Sequence, residues 1–265
     1  MIIKLASYNI RNLFDKYDDP LKNDGPPKKE KEIEGIGEII KNSNADIIAL
    51  QEVENKEILV DLLKTAGIED KYEVIVGKSD DRGIAPALLV SKRFKVKSYT
   101  INENNNNFKR PPVEALVEIA PGFNVKVFAV HLKSKRGGPE SDIQRQKEAQ
   151  NLIKLAKNSE VPTILMGDFN DLPDSKVIKT IENNNFKDVR KLDKLSNETN
   201  TPTHFSKHVS ILDYIFLSPQ LQDKVVQKSF NVVGNRENPI ADKVSDHRLI
   251  EVQLKLEENY RKALE

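Results

Sequence analysis

Val161-Pro-Thr-Ile-Leu-Met-Gly-Asp168-Phe-Asn170 is an apolar strand that closes on an acid and an amide one residue apart. Side chains at i and i+2 of a strand share a face. Asp168 and Asn170 are therefore predicted to aim a carboxylate and an amide into one cleft, the first able to deprotonate a water and the second to donate to a phosphoryl oxygen. Much later, Ser245-Asp246-His247 opens the run Leu249-Ile-Glu-Val-Gln-Leu254, whose alternation marks a half-buried strand. Asp and Asn are also ordinary turn residues at strand ends, so either cluster alone decides little. Their company decides, because polar residues close other apolar runs in the same way.

Working outward, the run Ile2-Ile-Lys-Leu-Ala-Ser-Tyr8 delivers Asn9, and Ala45-Asp-Ile-Ile-Ala-Leu50 delivers Gln51 and Glu52. A carboxylate at such an edge is a hard oxygen ligand suited to Mg²⁺ or Mn²⁺. Val125-Lys-Val-Phe-Ala-Val130 delivers His131, with Lys133, Lys135 and Arg136 close behind. An imidazole beside cations fits contact with a phosphate or its leaving group. Finally, Ile211-Leu212 precedes Asp213, and Tyr214-Ile-Phe-Leu217 continues the apolar run. A carboxylate in such surroundings needs a partner. His247 is the natural one, since a carboxylate accepting from one imidazole nitrogen fixes the ring's tautomer and raises its basicity.

Composition bounds the answer. A chain of 265 residues, 38% hydrophobic, can bury a sizeable core, and one α/β domain over residues 1–256 with a charged helical extension at 257–265 is expected. The 42 basic residues against 41 acidic leave a net charge of only +1, so any nucleic-acid contact must be a local patch rather than a global basic field. Absence of cysteine removes disulfides, thiol catalysis and zinc-thiolate sites. No apolar run is long enough to span a bilayer. Met1 leads directly into a strand with no visible signal peptide, which makes a cytoplasmic protein the default expectation. No protein partner is inferable from these features.

Helices are predicted over 30–42, 56–66 and 142–158, the last with Ser141 as N-cap, and a shorter one after Ser175. Strands are predicted at 2–8, 45–50, 72–76, 86–91, 96–101, 113–119, 124–131, 162–167, 211–217, 229–233 and 248–256. Their irregular alternation and hairpin-like spacing favour a mixed sheet pair over a simple parallel sheet. The polar loop 15–29 and the cation-rich segment 133–140 are candidate substrate contacts. Arg110, held before Pro111-Pro112 at the end of an asparagine-rich run, is a candidate phosphate contact, as is Lys133. His204 and His208, which flank Phe205 in a Pro-containing loop, read as plain loop histidines, and Tyr8 and Tyr214 as core or cleft-wall aromatics.

The ordered series Ser7-Tyr8-Asn9-Ile10, Leu50-Gln51-Glu52, His131-Leu-Lys-Ser134, Gly167-Asp-Phe-Asn170, Leu212-Asp-Tyr214 and Ser245-Asp-His247 resembles the endonuclease/exonuclease/phosphatase superfamily, from Asn9 to His247. Asn12-Leu-Phe-Asp15, Arg82-Gly-Ile84 and Gly137-Gly138 look like a bacterial nuclease branch, with the departure that Ala85 stands where that branch commonly has an acid. The resemblance implies a DNase-like, four-layer α/β sandwich, two packed mixed β-sheets flanked by helices. It also implies hydrolysis of a phosphodiester, most simply in DNA, with RNA as a further nucleic acid substrate. In that reading Glu52 is the principal Mg²⁺ ligand, Mn²⁺ being able to substitute, with Asn9 and Asp246 supporting the shell. Asp168 activates water, Asn170 holds a non-bridging oxygen, His247 paired with Asp213 binds or protonates the phosphate, and His131 stabilises the pentacovalent state. A phosphomonoesterase or a lipid phosphodiesterase shares the same core residues and is the alternative.

Overall fold

The computed structural model describes residues 1–157, 160–234 and 241–256; the expected extension at 257–265 lies outside the described residues. In chain order the elements are β1 (Ile2–Leu13), α1 (Glu30–Ser43), β2 (Ile47–Val53), α2 (Lys56–Thr65), β3 (Tyr72–Val76), β4 (Ala85–Ser91), β5 (Lys95–Thr100), β6 (Val113–Ala120), β7 (Phe123–His131) and α3 (Pro139–Lys157). There follow β8 (Thr163–Asp168), α4 (Lys176–Glu182), β9 (Lys187–Asp188), α5 (Val189–Leu192), β10 (His204–Phe205), β11 (Val209–Ser210), β12 (Asp213–Leu217), α6 (Pro219–Gln222), β13 (Asn231–Val233), α7 (Ala241–Val244) and β14 (Leu249–Lys255).

Period-two alternation sorts the strand residues into layers. In β7, Val125, Val127 and Ala129 face the central core while Phe128 and Val130 face outward; in β8, Ile164 and Met166 point in and Leu165 out. The result is two six-stranded mixed sheets, β13-β14-β1-β2-β4-β3 and β5-β6-β7-β8-β12-β9, packed face to face. Helices α1 and α2 bury Ile36, Ile39, Leu59 and Leu62 against the outer face of the first sheet. Helices α3 and α4 bury Leu152, Ile153, Ile178 and Ile181 against that of the second. This is the expected four-layer sandwich.

Two parallel pairs lie at the centre, β1 with β2 and β7 with β8, and parallel neighbours need a crossover, which α1 and α3 supply. Both pairs therefore end at the same edge of the sandwich. Register then sets the chemistry, since His131 lies opposite Asp168 and Asp168 opposite Asp213, so three polar side chains share one row across β7, β8 and β12.

Several boundaries differ from expectation for local reasons. Strands β1 and β2 run past residues 8 and 50, where the alternation lapses, because both bulge. Register shifts between Asn9 and Leu13 and between Leu50 and Val53, and Arg11, Asn12 and Glu52 take φ of 49°, 50° and 65°. Left-handed backbone is uncommon outside glycine, and a bulge re-aims the side chain that occupies it. Helix α3 starts at Pro139, a residue whose missing N–H costs nothing in a first turn. Ser141 is not its N-cap but lies inside that turn, its hydroxyl donating to the Arg136 carbonyl at 2.8 Å. Strand β12 begins at Asp213 rather than 211.

Gly167 closes the decisive strand for a steric reason. A Cβ there would stand 1.9 Å from the Val130 carbonyl oxygen of the adjacent parallel strand. Gly167→Ala is expected to force β7 and β8 apart and lower stability by about 3 kcal/mol or more, read as a fall in urea midpoint. An unchanged midpoint would show that the strands yield easily.

Candidate active site

The polar strand ends converge on a cleft of about 510 Å³. All four histidines of the chain line it, together with Glu52, Asp168, Asn170 and Asp246. Asp168, 1% exposed, is the hub. Its Oδ1 accepts from the Asn170 backbone N–H at 2.8 Å, and its Oδ2 accepts from Asn9 Nδ2 at 3.1 Å. The same Oδ2 lies 3.7 Å from His131 Nε2 and 3.7 Å from His247 Nε2. Burial pushes the Asp168 carboxyl up to about 7, against the opposing pull of the His247 cation.

The two flanking imidazoles are held in opposite states. Burial would lower His247, but the Asp213 and Asp168 carboxylates override it and lift the ring to about 10. Its Nδ1 donates to Asp213 Oδ2 at 2.8 Å. That oxygen also accepts from the Thr203 hydroxyl at 2.6 Å, while Thr203 Oγ1 in turn accepts from the backbone N–H groups of Leu212 and Asp213. His131 is held well below the usual imidazole value by burial and by the charges of Arg110, His247 and Arg82, and its buried Nδ1 has no hydrogen-bond partner among the described residues. One ring is thus a cation and the other neutral, with a near-neutral carboxyl between them. Such a split assigns acid and base roles by environment.

The bulge in β2 turns Glu52 toward this centre, where Oε2 accepts from the Asn12 N–H at 2.9 Å and Oε1 from Asn9 Nδ2 at 3.4 Å. Ser245 anchors the other side, its hydroxyl donating to the Asn9 carbonyl at 2.7 Å and accepting from the His247 N–H. Asp168, Asp213 and His247 offer ligand-type atoms all within 4.8 Å of one another, a group with the composition to hold a cation. Hydrogen bonds already occupy Asp213 Oδ2 and His247 Nδ1, however. The half-buried carboxylates that line the cleft are Glu52 and Asp246, hard oxygen donors of the kind that suit a divalent cation. Asn9 presents its amide nitrogen to both Glu52 and Asp168, and its oxygen accepts from the Arg11 N–H at 3.0 Å, so it links the carboxylates of the two sheets.

The two expected phosphate cations are placed differently from each other. Arg110 is 5% exposed, and its guanidinium donates to Asp80 at 2.9 Å and to the carbonyls of His131 and Leu132. It braces the end of β7. The Lys133 ammonium folds onto the carbonyls of Ser134 and Arg136, away from the cleft lining. Arg110 nonetheless lines the cleft, as do Arg11, Arg82, Lys135 and Arg136. His204, read from sequence as a plain loop residue, packs its ring 4.7 Å from that of His247. Thr203 was not singled out at all. The hairpin β10–β11 that carries both has two-residue strands, too short to leave a periodic signal.

Residues 6–247 match the Endonuclease/Exonuclease/phosphatase family over nearly the whole chain. The chain belongs to this family. Members of the endonuclease/exonuclease/phosphatase family are hydrolases acting on phosphate esters. Solved structures share the fold. A family protein from Bacteroides thetaiotaomicron is 17% identical, with 96% of this chain and 97% of that one covered and a TM-score of 0.66. Truncated Caenorhabditis elegans TDP2 is 21% identical with coverages of 96% and 98% and a TM-score of 0.67, and a humanized Danio rerio TDP2 is 18% identical with 96% and 99% and a TM-score of 0.70. Among curated proteins none matches significantly. No helix among the described residues is long and apolar enough to cross a membrane.

Proposed function

We propose that this endonuclease/exonuclease/phosphatase family protein is a metal-dependent nuclease that hydrolyses phosphodiesters in DNA, with RNA as a further substrate. The observation that carries the reading is the Asp168 carboxylate held 3.7 Å from a cationic and 3.7 Å from a neutral imidazole, beside Glu52. Asp168 takes the proton of the attacking water, its raised value making it a base matched to neutral pH. His247, kept cationic by Asp213, donates from Nε2 to a phosphoryl oxygen and offsets charge there as the phosphorus gains its fifth oxygen. Asn170, one N–H of its amide given to the Leu132 carbonyl at 3.0 Å, has its second free for a non-bridging oxygen. His131 supports the same oxygens from the other side. Glu52 and Asp246, with Asn9 orienting Glu52, would hold Mg²⁺, which when bound neutralises charge on the phosphoryl and leaving oxygens.

The direct test is nicking of supercoiled plasmid with Mg²⁺ or Mn²⁺, with EDTA and Asp168→Ala as controls. Metal-dependent nicking abolished by the substitution supports the reading. An untouched plasmid alongside turnover of a small phosphate ester moves the protein to the phosphatase or lipid diesterase class. Affinity for DNA should fall steeply with salt, as phosphate contacts release counterions. Glu52→Gln is expected to raise the Mg²⁺ concentration for half-maximal nicking by about 100-fold; an unshifted titration would remove Glu52 from the metal shell.

A further inference from the structure

The lining of the cleft extends past the catalytic row to the β10–β11 hairpin. The hairpin directs His204, Ser206, His208 and Ser210 into the cleft. Phe205 turns the other way, with the Arg248 guanidinium 3.8 Å from its ring centre. The hairpin is fixed to the catalytic strand. The Phe205 N–H donates to the Asp246 carbonyl at 2.7 Å, and the Arg248 N–H donates to the Thr203 carbonyl at 2.7 Å. His204 Nδ1 engages the Ser210 hydroxyl at 3.3 Å, and its Nε2 points back to Asp246 at 4.0 Å. The lining also includes Arg136, beside Lys135, whose ammonium is taken by Asp171 at 2.8 Å. Arg136 has no ion-pair partner among the described residues and is exposed. The Arg136 charge reaches His204. Burial, the His247 cation and, more weakly, the Arg136 charge hold His204 below its ordinary value.

Among the described residues no Phe, Tyr or Trp lines the cleft, so this part of the lining offers no platform for a flat apolar group. It offers instead one uncommitted guanidinium, two imidazoles and hydroxyls, the donor set that binds phosphate oxygens. We propose that Arg136, His204 and His208 form a second phosphate subsite, which grips the phosphate next to the scissile one and so selects phosphodiesters that carry a further phosphate, as a polynucleotide strand does. The subsite rests on the diesterase reading for its place beside the scissile bond, but its ligand chemistry is independent of turnover. Its residues are distinct from the Asp168, His131 and His247 group, His204 packing its ring 4.7 Å from that of His247, and its occupant in this proposal is the neighbouring group of the substrate and not the reacting phosphorus.

Two measurements separate the two ideas. Thymidine dinucleotides bearing no extra phosphate, a 5′-phosphate or a 3′-phosphate are compared as substrates of the full chain in Mg²⁺. One phosphorylated form should be cleaved with a KM about tenfold lower, the worth of one charge-assisted hydrogen bond, and the gain should collapse in Arg136→Ala and in His204→Gln. Calorimetry with thymidine 3′,5′-bisphosphate against thymidine 5′-monophosphate needs no turnover. Tighter binding of the bisphosphate that is lost in Arg136→Ala upholds the subsite even if no dinucleotide is cleaved, a result that would sink only the nuclease reading. Equal binding of the two nucleotides, or a preference that survives Arg136→Ala, overturns the subsite. Because His204 touches His247, Arg136→Ala is the deciding variant should His204→Gln fail to fold.

Discussion

Asp168→Asn lowers kcat/KM on a phosphodiester by about 10⁴-fold, the loss expected when a positioned base can no longer take a proton. The substitution keeps the shape and, through its single remaining oxygen, one of the Asn170 and Asn9 contacts, while removing the carboxylate that takes the proton of water. Substrate affinity should change little, because Asp168 carries no positive charge for the phosphate, so the loss belongs in kcat. Single-turnover assays with a fluorescent oligonucleotide distinguish the outcomes. A loss under tenfold would mean that another group activates the water and that Asp168 only orients His131 and His247.

The second large effect is in the pH profile. A base acts when unprotonated and an acidic donor when protonated. Activity should therefore climb about tenfold per pH unit up to about 7, where Asp168 ionises, and decline above about 10, where His247 loses its proton. Asp213→Asn removes the leading influence that lifts His247. The alkaline limb should then slide down toward the ordinary imidazole value near 6.5, overlapping the acid limb and lowering the maximum. An alkaline limb that stays in place would show that Asp213 does not govern His247. Folding stability should follow the same linkage. Because the folded value of His247 is raised, its contribution is fully present below about pH 6.5 and is lost as pH rises through about 10. Melting temperatures across that window, compared with Asp213→Asn, report it independently of catalysis.

Much of the site was legible because strand geometry is regular. Alternating apolar residues predicted the strands, and a polar residue at the end of each run marked the edge where β1, β2, β7 and β8 finish together. The pairing of Asp213 with His247 followed from the cost of a lone carboxylate among apolar neighbours, and the two atoms meet at 2.8 Å. Lys133 shows the limit. A cation near a cleft in sequence goes where its strongest partners are, and the loop carbonyls of Ser134 and Arg136 claimed this one, whereas Arg110, paired with Asp80, still lines the cleft. Thr203 and His204 were hidden for another reason, since a two-residue strand leaves no period to read.

The longer strands, their polar ends, the family and the candidacy of Asn9, Glu52, His131, Asp168, Asp213 and His247 were readable in the chain alone, because alternation and burial cost are local properties of the chain. Only the tertiary structure decided which ring is charged, which cations face the cleft, and how the bulges turn Glu52 inward. Those depend on desolvation and on distances of a few ångströms between groups far apart in the chain, such as the 3.7 Å that separates His247 Nε2 from Asp168, 79 positions earlier in the sequence.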